Sequence, residues 1–179
     1  MSTASRKVRA IAAGSAVVGL GAALTLAAWS DSEFAKGTFS TANFGIEGAA
    51  GDNNFSEHAT RENALELTFN PSNLQPGQTT AHAYQIRNIA GGVDSTVTYA
   101  NEFKEGALAG SLTTEIVQTA DTTCTPQTTG TVLAQGGTFN LSEQTPQNLC
   151  IKVKVADNYE GQNEQGTIVW QFDAAPQNQ

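Results

Sequence analysis

Five stretches of the chain alternate apolar and polar residues with a period of two. In "ALELTF", Leu65, Leu67 and Phe69 alternate with Glu66 and Thr68. In "AHAYQIRNI", Tyr84 and Ile86 take one face and Gln85 and Arg87 the other. "VDSTVTY" sets Val93, Val97 and Tyr99 against Asp94, Thr96 and Thr98, and "CIKVKVA" sets Ile151, Val153 and Val155 against Lys152 and Lys154. "GTIVWQFDA" places Ile168, Trp170 and Phe172 together. This alternation predicts half-buried antiparallel strands. "SLTTEIVQT" and "GGTFNLS" are weaker strand candidates, and "FKEGALAGS" predicts one turn of helix. Turn signals, "NPSNLQPGQ", "AGG", "QGG" and "NYEGQNEQG", separate these runs.

Many short strands with such punctuation predict an all-β fold, an antiparallel β-sandwich of jelly-roll or immunoglobulin-like type. The immunoglobulin Cys…Trp…Cys order is missing, because Trp170 follows both cysteines. Residues 48–63 form a long polar loop, of a length that is often functional.

The first 28 residues do not follow the β pattern. Arg6, Lys7 and Arg9 precede an uncharged apolar stretch, Ala10 to Ala28, that closes on Ala27 and Ala28. This is the layout of a secretory signal peptide forming an N-terminal helix. The same 19 residues are long enough to be an uncleaved anchor. Their Ala and Gly content and the acids Asp31 and Glu33 beyond them favour the signal. The expected organisation is a signal peptide at 1–28, a strand segment at 29–47 and a sandwich domain at 48–179.

Charge narrows the partners. The chain carries nine basic and 17 acidic residues. The signal removes three basic residues and no acidic one, which leaves six against 17. This argues against nucleic acid and anionic lipid, both of which call for clustered Lys and Arg. Membrane contact is expected only through the signal before cleavage. In an oxidising compartment the two cysteines, Cys124 and Cys150, read as one disulfide.

Catalytic patterns are scarce. There is no H-E-x-x-H and no G-x-S-x-G. His58, with Glu57 and Glu62, is a weak candidate for a divalent ion; otherwise these are solvated loop residues. His82 is in phase with Tyr84 and Ile86, as a hydrogen-bonded histidine at a strand end would be. No cofactor is expected. A β-rich, Thr/Gln/Asn-rich chain suits pairing between strands of different copies, since sheet edges offer unpaired N–H and C=O groups. Phe34, Phe44 and Ile46 share one phase of an extended segment, with Phe39 out of phase. That segment could be a donor strand to a neighbour or an ordinary first strand of its own sheet.

The junction "AAWSDSEFAKGTFSTANFGIEG" resembles that of the SipW-dependent, alternate-signal exported proteins, the TasA and camelysin family. The matching positions are Trp29, Ser30 and Asp31, then Gly37, Thr38 and Phe39. "LQPGQTTAHAYQIRNIAGG" is similar to the family's L-x-P-G, strand and N-x-G pattern through Leu74, Pro76, Gly77 and Asn88, with Gly91 one residue late. The closing "GTIVWQFDAAPQ" resembles the family's last strand. The resemblance implies a jelly-roll-like sandwich exported through a dedicated signal peptidase, cleaved after Ala28 or, alternatively, after Ala27.

The resemblance further implies a secreted or cell-surface structural protein, a subunit of an extracellular-matrix or biofilm fibre that self-associates by strand exchange. The camelysin side implies instead a surface metalloprotease, for which no zinc ligand set is evident here. A third reading is a monomeric surface binding module, although the only tryptophans, Trp29 and Trp170, form no obvious aromatic platform.

Overall fold

The computed structural model describes residues 34–38, 43–70 and 74–177. The expected signal helix, its cleavage positions Ala27 and Ala28, and Phe39 lie outside these residues. The chain divides into two units, Met1–Ser40 and Thr41–Gln179. In the first, residues 34–38 are exposed and have no regular secondary structure.

The second unit is an all-β sandwich of two antiparallel sheets. Its strands are β1 (Ile46–Ala49), β2 (Thr79–Asn88), β3 (Ser95–Glu105), β4 (Leu112–Thr119), β5 (Thr131–Val132), β6 (Thr138–Leu141), β7 (Gln147–Val155) and β8 (Thr167–Pro176). One sheet has the order β1-β2-β7-β4-β5 and the other β6-β3-β8. The single turn predicted in 103–111 is a 3-10 turn at Ala109–Ser111, and a second covers Arg61–Asn63.

The alternation read in the sequence buries one face of each sheet. Ile86, Ile116, Leu149, Ile151, Val153 and Val155 come from the first sheet, and Val97, Tyr99, Phe139 and Leu141 from the second. Side chains of this size contribute roughly 1.5–3 kcal/mol each when fully removed from water. The predicted Q-P-G-Q turn closes with a Gln78 N–H to Gln75 C=O bond at 2.9 Å. Gly77 sits at φ +77°, as the third position of a type II turn requires.

Strand β3 departs from simple alternation. Its pairing with β8 runs Tyr99↔Phe172 and then Asn101↔Gln171, so Ala100 is an extra residue in the ladder. The bulge reverses the phase of everything after it. Glu102 now faces Trp170 and Lys104 faces Ile168, on the inner side, while Phe103 is turned outward beside Val169. Outside, the Arg61 guanidinium covers the Phe103 ring at 4.6 Å. On that side Lys104, itself still exposed, donates from Nζ to the Leu112 carbonyl at 2.7 Å and lies 2.8 Å from Glu102 Oε1. Gln135 Nε2 donates to the Ala100 carbonyl at the bulge.

The outer face of the first sheet is partly covered by loops. Cys150 points outward from β7 yet is fully buried, because its disulfide with Cys124 holds residues 120–130 over it. Val117, paired with Cys150 across the β4–β7 ladder, is buried beneath the same loop.

Candidate functional site

The run "ALELTF", predicted as a strand, is extended but joins no sheet. Leu65, Leu67 and Phe69 are half-buried and the intervening residues exposed, so the period-two pattern is real. Among the described residues, however, no backbone group of residues 65–69 pairs with another backbone group. Burial of alternate side chains is enough to keep the segment extended without a ladder. It forms a strap across the side of the sandwich where the edge strands β1 and β8 of the two sheets lie.

Both ends of the strap are tied. At its start, Arg61 pairs with Glu105 and stacks on Phe103, both in β3. At its end, the Asn70 carbonyl accepts from Thr80 Oγ of β2 at 3.1 Å. Between them Phe69 bridges the sheets, with its ring centroid 5.7 Å from His82 and 6.0 Å from Trp170.

Under and beside the strap lies a cleft of about 1360 Å³. Its lining includes Tyr84, Ile151, Leu67, Phe69, Trp170 and Phe172. Successive residues of β8, from Ile168 to Asp173, line it irrespective of which face they occupy, so an edge of that strand looks into the cleft. That edge is bare. Strand β8 pairs with β3 on one side, and no backbone bond from any other described residue reaches its ten residues on the other. The opposing edge, β1, is shorter and is capped by a reciprocal backbone pair between Gly48 and Ser56. Gly48 also leaves room for the Tyr84 hydroxyl, with which a Cβ there would collide. Burial pushes the Tyr84 phenol up to about 12, which keeps it neutral beside the apolar lining.

The histidines have structural partners. His58 Nδ1 donates to the Asn63 carbonyl at 2.9 Å, which leaves Nε2 to accept from Ser56 Oγ at 2.9 Å. The ring thus ties the polar loop to itself. Glu57 and Glu62 are exposed, and the described residues contain no group of three His, Cys, Asp or Glu placed to hold a metal ion. His82 faces inward as its phase predicts, and its Nδ1 donates to the Ala83 carbonyl. The rest of the 48–63 loop is also pinned, with Arg87 over the Phe55 ring at 4.0 Å and Asn53 exchanging hydrogen bonds with Gln85.

Of the four donor-segment residues, Phe34 is 93% exposed, Phe44 is 41% exposed, and Ile46 opens β1 opposite Asn88 of its own chain. Ile46 packs against the core, so it is held in its own sheet rather than free to leave.

Asn88 and Gln177 both bond to Ser95. Ser95 Oγ donates to Asn88 Oδ1 at 2.6 Å, and Asn88 Nδ2 donates to the Leu141 carbonyl. Gln177 Nε2 donates to the Ser95 carbonyl at 3.2 Å. These residues fasten one end of the sandwich and the last strand; their role is architectural.

The sequence matches no protein-family model, and no match was found among curated proteins.

Proposed function

We propose that the chain is a secreted or cell-surface structural protein, a fibre subunit of an extracellular matrix or biofilm that assembles by strand exchange. In this reading the N-terminal segment of one copy adds to the open edge of the next. The observation that carries it is the ten-residue edge of β8, unpaired among the described residues and facing an apolar cleft. A bare edge beside half-buried apolar side chains is a template for an extended segment, with backbone bonds giving affinity and alternate side chains filling pockets.

Because Ile46–Ala49 pairs with β2 of its own chain, Gly45 accepts from the Ile89 N–H and Asn43 bridges Gly92, the part of the 29–47 segment left to reach a neighbour is 29–42. Those 14 residues, if extended, span roughly 46 Å, ample for the ten of β8. Export, cleavage near Ala28 and disulfide formation would precede assembly. The test is electron microscopy of the mature protein beside a form lacking residues 29–40. The truncated form keeps β1 and the core, and it should stay monomeric while the mature protein forms filaments. Equal filament formation by both would refute strand exchange through this segment.

A further inference from the structure

We infer that residues 64–70 are a removable cover of the β8 edge, a strap that keeps the acceptor closed until an extended segment from a second copy displaces it. The inference rests on the strand-exchange reading.

A strand joining β8 lies about 4.8 Å from it along the hydrogen-bonding direction. The strap lines the same cleft, and Phe69 reaches Trp170 of β8 across it. An incoming strand and the strap in its present position therefore compete for the same space. The strap is built to yield. Backbone groups 65–69 form no ladder, so lifting them breaks no backbone hydrogen bond among the described residues. Holding it are three half-buried side chains and the two end ties, Arg61 to Glu105 and Phe103, and Asn70 to Thr80.

Those unpaired groups also give the strap a second place to rest. Moved outward by one strand spacing, it could form a ladder on the far side of the newcomer. The inserted segment would then be hydrogen-bonded on both edges, between β8 and the strap. The three-stranded sheet would become five-stranded, matching its partner sheet.

Loosening a tie should raise the fraction of open strap and so strengthen binding, because apparent affinity scales with the competent fraction. The probe is a labelled synthetic peptide of residues 29–42, titrated into the full-length mature chain and followed by fluorescence anisotropy. Hydrogen exchange reports the amides of 167–175. Arg61→Ala should bind about threefold to tenfold more tightly than the wild type, because it removes both an exposed ion pair and a cation–π interaction. Thr80→Val, which removes the other tie, should act in the same direction. In both variants peptide should slow exchange along β8. Equal affinity in wild type and both variants, with β8 protected, would overturn the strap as a cover and leave strand exchange standing. No binding and no β8 protection in any of the three would overturn strand exchange, and the strap inference with it.

Discussion

Tyr99 and Glu102 meet inside the sandwich across the β3 bulge, the phenol donating to Glu102 Oε2 at 2.7 Å. Burial alone would raise the Glu102 carboxyl, but Lys104, Tyr99 and Thr114 together outweigh it, and its pKa falls below the ordinary value. A carboxyl whose pKa is lower folded than unfolded adds stability above its unfolded pKa and loses it as pH falls through the folded one. Unfolding free energy should therefore drop on the acid side of the glutamate range. Urea melts at a series of pH values should show this acid limb flattened in Glu102→Gln. Identical slopes for variant and wild type would refute the assignment.

The alkaline side follows from the same network and from the cleft. Burial first, and then Glu102, raises the Tyr99 phenol, and burial raises Tyr84 to about 12. Groups whose folded pKa is raised lend stability that is complete below their unfolded value and lost as pH rises past it, here above about pH 10. Tyr84→Phe should be close to wild type at neutral pH and more stable than wild type in alkali. Thermal melts at both pH values decide this, and equal alkaline melting temperatures would count against it.

Cys124 and Cys150 are 26 residues apart. Closing a loop of that size constrains the unfolded chain by roughly 3 kcal/mol in the chain-entropy model. A Cys124→Ser, Cys150→Ser double variant should lose stability on that scale and loosen residues 120–130. Proteolysis should then cut within that loop first. Cleavage at the same sites and rate as in the oxidised protein would show that the bond does not hold the loop.

Asn88 is fully buried, and its side chain both accepts from Ser95 and donates to Leu141. Asn88→Ala leaves two buried groups without a partner, at a cost of about 1–3 kcal/mol each. Chemical denaturation should show a loss of roughly 2 kcal/mol or more. Ser95→Ala should cost less, since it leaves Asn88 Oδ1 as the main orphan.

Much of this fold is legible in period-two alternation. The inward sets Tyr84 and Ile86, Ile151, Val153 and Val155, and Trp170 and Phe172 all face between the sheets as read. The weaker runs form β4 and β6 because each buries alternate residues, Leu112 and Ile116 in one and Phe139 and Leu141 in the other. Alternation reports burial, though, and not hydrogen bonding. Leu65, Leu67 and Phe69 alternate as faithfully as any strand, yet their backbone has no ladder among the described residues, and nothing in a single segment says whether a partner stands beside it. The open edge is hidden from the sequence for the same reason: it is a property of what does not pair with β8. His58 shows the opposite limit. Its acidic neighbours suggest a ligand, but its partners are the Ser56 hydroxyl and the Asn63 carbonyl, groups with no distinctive sequence signal.

The extra residue at Ala100 also bears on how kinship to this chain is to be traced. Before it, odd-numbered positions of β3 face the core; after it, even-numbered ones do. An alignment scored on hydrophobic match would set Phe103 against a neighbour's buried position, and Glu102 and Lys104 against its solvent-facing ones. A relative lacking the bulge therefore has to be aligned with a one-residue gap after Tyr99. Without that gap, the inward charge pair would be mistaken for surface and the second half of the strand would be compared with the wrong face.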